Sequence, residues 1–155
     1  MTALQPLTIL LEHNERERDA ALTAHQRAQA TSAAAAATTE QLQTYRREYE
    51  QRWRTQFGRQ GEMELVHCYQ SFMERLSLAV EQQQQSATFA AQEVERARVH
   101  LQAVELRCAS VRKLIERRLA EARLASERRD QKQTDEAATR AAWTRIGTTR
   151  PAPLT

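Results

Sequence analysis

The sequence predicts an all-α fold in which two long helices fold back on each other as an antiparallel coiled-coil hairpin. Three observations carry that prediction. From Val66 to Ala125 a stripe recurs by alternating steps of three and four residues, through Val66, Tyr69, Met73, Leu76, Val80 and onward by Leu101, Val104, Cys108, Val111 and Ile115. Of its positions only Gln83 and Arg118 are not apolar. A stripe with a 3.5-residue period stays on one side of a helix only when the helix supercoils around a partner, so this is a coiled-coil seam. The composition agrees: 155 residues hold three Gly, three Pro and 5% aromatic side chains, against a surplus of Ala, Gln, Glu and Arg. Finally, Gly58 and Gly61 are the only Gly or Pro residues between Pro6 and Gly147, so one break divides two uninterrupted helical patterns.

The first helix is expected over about residues 6–56. Pro6 suits its first turn, where a missing N–H costs nothing. Its inward positions read as Leu7, Leu10, Asn14, Glu17, Ala21, Ala24, Ala28, Thr31, Ala35, Thr38, Leu42, Tyr45 and Tyr49. Most are small, so the middle of this helix buries little area and is its weakest-held part. The run Ala33–Ala37 reads as helix and not as linker, because Ala is the best helix former.

Phe57, Gly58, Arg59, Gln60 and Gly61 supply the turn, with two residues free to take positive φ. Glu62 then opens the second helix, expected over about 62–146, where an acid suits the positive end of the helix dipole. Gly147 marks the stop, and residues 147–155 are expected to be disordered. Residues 1–146 thus form one hairpin unit.

A turn centred near residue 60 pairs positions whose numbers sum to about 121. Tyr49 then faces Phe72, Tyr45 faces Leu76 and Leu42 faces Ala79. At the other end the first helix runs out opposite about residue 116, where the seam meets Arg118 and fades to Ala. Residues from about Arg118 to Arg145 are therefore expected to project as a single solvated helix, on the order of 40 Å long.

Lys and Arg exceed Asp and Glu by three, too small a surplus to demand a nucleic-acid partner. The apolar run Leu7–Leu11 is too short for a membrane span and lacks the basic flank of a signal peptide, which predicts a cytoplasmic protein. Cys68 and Cys108 sit on one helix, far beyond disulfide reach of each other, and read as reduced side chains. His13, His25, His67 and His100 form no metal-binding spacing, and no phosphate-cradling glycine loop is present. No catalytic residue, metal site or cofactor is expected. His67 and Cys68 are adjacent, but neighbours on a helix point about 100° apart and do not form a reactive pair.

Two surfaces remain as candidates. Between Arg107 and Arg129 eight Arg or Lys stand against three Glu, which reads first as a solvated face and second as docking on an acidic surface. A basic-zipper DNA binder would carry its basic region before the zipper, and here the order is reversed. Near the turn, Leu42, Tyr45, Tyr49 and Phe72 gather, with Phe72 beside the seam position Met73 and so only partly covered. Half-exposed aromatic rings suit a protein-binding patch. The same cluster also reads as a thickened core that holds the tip closed.

Two stretches carry a family resemblance. One is Leu42, Tyr45, Glu48 and Tyr49, followed after the turn by Tyr69, Gln70, Phe72, Leu76 and Ala79; the other is Asp130, Gln131, Lys132, Asp135, Glu136, Ala138, Arg140, Ala141 and Ala142. In these the chain resembles the FliJ family of the flagellar type III export apparatus, with the YscO-type injectisome proteins as relatives. It departs from the family at Ser77, where an acid is expected, and in having no Trp just after the turn. The resemblance implies a hairpin similar to the central stalk of rotary ATPases. It further implies a non-enzymatic protein that inserts by its terminal end into the ring of the export ATPase FliI, promotes ring assembly, and bridges it to the export gate protein FlhA at the inner membrane. Carried over, the gate-binding patch is Leu42, Tyr45, Tyr49, Phe72, Leu76 and Ala79, with Thr38 and Gln83 at its margins. The ATPase-facing contact is Asp130, Gln131, Lys132, Asp135, Glu136 and Arg140. Export chaperones are a further implied partner. The competing reading is a homodimeric coiled-coil spacer or a nucleic-acid-associated rod; an intramolecular hairpin predicts a monomer, whereas a parallel dimer places Gly58 and Gly61 inside a helix at about 1 kcal/mol each.

Overall fold

The computed structural model describes residues 4–57 and 62–148. Two helices account for them: α1 over Gln5–Phe57 and α2 over Met63–Thr148. Only Leu4 and Glu62 among the described residues lie outside a helix. Of the turn expected at residues 57–61, Phe57 is the last residue of α1 and the remainder lies outside the described residues, as do residues 149–155 of the expected tail. α2 continues through Gly147 to Thr148, past the expected stop at 146. One glycine weakens a helix by about 1 kcal/mol, which is too little to end it without a competing cap.

The helices pack against each other as an all-α antiparallel hairpin. Two compact units make up the chain. One is His13–Cys108; the other joins Met1–Glu12 to Ala109–Thr155. Within His13–Cys108, cross-helix contacts fix direction and register. Thr39 reaches the Gln83 carbonyl, Tyr49 packs on Phe72 with ring centroids 4.4 Å apart, and Glu17 meets Arg107 at 3.8 Å. Position numbers fall on one helix as they rise on the other, around the expected sum of 121.

Burial is carried mainly by α2. Leu76, Val80, Ala90, Leu101, Val104 and Cys108 are buried in this unit, all at seam positions, and Ala21 of α1 clusters with Leu101 and Val104. α1 contributes one other buried side chain here, Asn14. A single polar residue in a seam of this kind helps to specify register. In the other unit Val111 is buried, while Leu7, Leu11 and Ile115 are half-buried. Every residue from 123 to 148 is exposed. Seam position Arg118 is exposed as well, but Ala120 and Ala122 beyond it are half-buried, so full exposure begins at residue 123 and not at the expected Arg118.

The inward face of α1 differs from expectation at alternate positions. Leu10, Ala24, Thr31, Thr38 and Tyr45 are exposed, whereas Leu11, Arg18, His25, Ser32, Thr39 and Arg46 are half-buried. The steps run four then three, not three then four. Long polar side chains can occupy a seam by laying their stems across it and turning their heads outward. Arg18 does so: it is partly covered and pairs with Asp19 at 3.0 Å, an interaction that raises its pKa further.

Exposed ion pairs dress the outer faces, as with Glu93–Arg96 at 2.7 Å, and Arg98 holds the Glu95 carboxyl below its ordinary range. Ion pairs this open to solvent contribute little to stability. The seam therefore decides it. Replacing Leu101 with Asp places a charge in the Ala21–Val104 cluster at a cost of several kcal/mol, and the hairpin is expected to open. Phe89→Asp, on an exposed position of the same helix, is the control. Thermal melting followed by circular dichroism should show a large fall for the first variant and almost none for the second; equal melting would contradict the burial pattern.

Candidate functional site

The aromatic residues near the tip come together across both helices. Tyr45, Tyr49, Trp53 and Phe57 follow one another at four-residue spacing, so each ring lies one turn beyond the last on α1. Their centroids stand 5.9 Å apart for Tyr45–Tyr49, 5.9 Å for Tyr49–Trp53 and 4.8 Å for Trp53–Phe57. From α2, Phe72 meets Tyr49 at 4.4 Å, and Tyr69 meets Trp53 at 5.1 Å and Phe57 at 5.5 Å. Tyr49 is the hub, with four ring neighbours including Tyr69 at 6.4 Å.

The six residues of the expected gate patch occupy one stretch of the hairpin with different degrees of cover. Tyr45 is 46% exposed; Leu42, Tyr49, Phe72 and Ala79 are half-buried; Leu76 is buried. Tyr45, Tyr49 and Phe72 thus present surface, and Leu76 anchors from beneath. The two margin residues part company. Thr38 is exposed and donates its hydroxyl to the Ala34 carbonyl of its own helix. Gln83 is half-buried, and its Nε2 donates to the Ala35 carbonyl across the seam at 3.4 Å. Next to it the Thr39 hydroxyl donates to the Ala35 carbonyl at 2.8 Å and lies 3.4 Å from the Gln83 carbonyl. Gln83 therefore holds the helices in register and offers little to a partner.

Sequence reasoning overlooked Trp53 and assigned Phe57 to the turn, yet both belong to the cluster. The signal was present as the unbroken four-residue recurrence of aromatic residues from Tyr45 to Phe57.

At the far end of α2, Asp130, Gln131, Lys132, Asp135, Glu136 and Arg140 are all exposed. Glu136 pairs with Arg140 at 3.8 Å. Thr134, Thr139 and Thr144 each donate a hydroxyl to the carbonyl four residues back, so their side chains lie along the helix. Trp143, at 71% exposure, and Ile146 stand out as large apolar side chains on this charged stretch.

Among the described residues no group of three or more His, Cys, Asp or Glu side chains is placed to hold a metal ion, and no helix is long and apolar enough to cross a membrane. His67 and Cys68 are both exposed, and Cys108 is a buried free thiol. Fold and site together define an all-α helical hairpin whose tip carries a partly open aromatic cluster and whose second helix ends in an exposed charged segment. The sequence model of the flagellar FliJ protein matches residues 3–147, and the chain belongs to that family. Membership implies a component of the flagellar export apparatus, in a family that is a structural and export component and not a known enzyme. Comparison with curated proteins gives no match, and neither does comparison with solved structures.

The separation of Gln83 from Thr38 can be measured. Gln83→Ala removes a cross-helix hydrogen bond and is expected to cost about 1 kcal/mol, whereas Thr38→Ala leaves melting within about 0.5 kcal/mol of the parent. Chemical denaturation of the two variants checks this, and the reverse order would contradict the assignment.

Proposed function

We propose that the chain is a non-enzymatic coupling element of the flagellar type III export apparatus, joining the ring of the export ATPase FliI to the export gate protein FlhA. One observation carries the reading. Rings from two helices converge on Tyr49 while Tyr45 is 46% exposed, so the cluster is both fixed in position and open on one side. Partly open aromatic side chains held by their neighbours are the usual anchors of protein interfaces. The gate docks on this patch, through Tyr45, Tyr49 and Phe72, with Leu42, Leu76 and Ala79 supporting it.

The charged last part of α2 faces the ATPase. A helix exposed over residues 123–148 and carrying alternating charges suits reversible contact with a polar ring interior better than permanent burial. Asp130, Gln131, Lys132, Asp135, Glu136 and Arg140 make that contact. The protein works at the cytoplasmic face of the inner membrane, held there by its partners, and escorts export chaperones. Alone it is a monomer, since packing of α1 on α2 already occupies the seam that a parallel homodimer would use.

Alanine at Tyr45, Tyr49 or Phe72 is expected to weaken binding to the gate's cytoplasmic domain and to reduce motility, with a smaller effect on helicity. Loss of helicity in step with loss of binding would instead make the cluster a structural core. Truncation after Arg118 is expected to leave a folded hairpin that binds the gate but no longer stimulates ring formation or ATP hydrolysis. ATPase rates with full-length and truncated chains side by side test this. Equal stimulation by both would remove the terminal segment from the ATPase contact.

A further inference from the structure

Trp53 belongs to neither of the surfaces assigned above, yet its position in the cluster is distinctive. Its ring is half-buried and lies within 6 Å of three others: Phe57 at 4.8 Å, Tyr69 at 5.1 Å and Tyr49 at 5.9 Å. Tyr49 and Tyr69 are themselves 6.4 Å apart, and Phe57 and Tyr69 are 5.5 Å apart. Trp53 and Tyr69 therefore form the shared edge of two three-ring groups that straddle the helices. On one side of that edge lies Phe57, next to the turn; on the other lies Tyr49, the hub of the docking patch.

Tyr49 has ring neighbours in three directions: Tyr45 one turn back, Phe72 across the seam, and Trp53 one turn ahead. Of these, Tyr45 is the most exposed, at 46%. The ring of Tyr49 is thus held between Phe72 and Trp53. Aromatic pairs prefer offset or edge-to-face geometries beyond what simple burial asks, so a ring at residue 53 orients its neighbours in a way that an aliphatic side chain of comparable bulk does not.

We propose that Trp53 is the positioning residue of the gate-docking patch, holding Tyr49, with Tyr69 packed beside both rings, in the orientation that the gate protein meets. The proposal rests on the gate-docking reading above. It predicts that binding depends on an aromatic ring at position 53 although the gate itself need not touch that ring.

The test compares full-length Trp53→Ala, Trp53→Leu and Trp53→Phe with the parent, measuring affinity for the soluble cytoplasmic domain of the gate protein at a temperature where circular dichroism shows each to be fully helical. Trp53→Ala is expected to lose about tenfold in affinity, Trp53→Phe to recover to within about twofold of the parent, and Trp53→Leu to stay as weak as Trp53→Ala. Recovery by Trp53→Leu would reduce Trp53 to a space-filling residue and overturn the proposal. Parent-like binding by Trp53→Ala, or failure of Trp53→Phe to recover, would overturn it too. In all of those cases the gate reading stands, because the parent still binds. A parent chain that does not bind the gate domain would sink that reading, and this inference with it.

Discussion

The apolar seam of α2 has to be covered, and the rest of the structure follows from how α1 covers it. Leu76, Val80, Leu101, Val104 and Cys108 supply the bulk, while α1 answers with Ala21, Ala28, Ala35 and a series of polar side chains. Small residues allow close approach but bury little area themselves, so α1 is held mainly by what α2 places against it. Where α1 contributes larger groups, near Leu42 and Tyr49, the contact gains rings from both helices. Polar links then fix the register at separate points along His13–Cys108, through Glu17–Arg107 and through Gln83 with Thr39 and Ala35.

The proposed function rests on what this pairing leaves uncovered. A coiled coil of two helices can bury only one stripe of each, so large side chains off the stripe stay in contact with solvent. Tyr45 and Phe72 lie beside the seam and remain open to a partner while Leu76 beneath them is closed off. The exposed segment 123–148 arises differently: its sequence supplies no apolar stripe, and ion pairs such as Glu136–Arg140 run along its surface. One end of the hairpin thus offers aromatic surface and the last part of α2 offers charge, which are suited to different partners.

The second helix was legible in the sequence almost position by position, because large apolar residues at its seam positions leave only one phase for the stripe. The first was not. Stepping three then four selects Leu10, Ala24, Thr31, Thr38 and Tyr45, and stepping four then three selects Leu11, His25, Ser32, Thr39 and Arg46. Hydropathy favours the former set, but those residues are exposed and the latter are half-buried. The cause is that α2 fills the seam, so α1 needs side chains that fit around its bulk, as the Thr39 hydroxyl does between the Ala35 and Gln83 carbonyls. Of the proposed docking patch, the pairing of Tyr49 with Phe72 was legible because it depends only on the turn's centre. Trp53 was missed because stepping three then four leads from Tyr49 to Arg52, which is exposed, whereas the four-then-three steps that α1 follows lead to Trp53, which is half-buried. Gln83 carries two readings: the seam stripe puts it against α1, where its Nε2 meets the Ala35 carbonyl, while the resemblance puts it at the margin of the patch and carries residue identity but not the direction in which an amide points.

The register of the hairpin underlies the aromatic patch, and a single intramolecular distance tests it. Gln41 and Gln82 are both exposed and lie almost opposite each other. Spin labels on Gln41→Cys and Gln82→Cys, in a chain with Cys68→Ser and Cys108→Ala and diluted with unlabelled protein, report their separation within one molecule. Helices packed about 10 Å apart place the labels roughly 20 Å from each other. A continuous helix through Gly58 and Gly61, as a parallel dimer requires, would place them about 60 Å apart. The first distance is the one this account predicts; the second would contradict it.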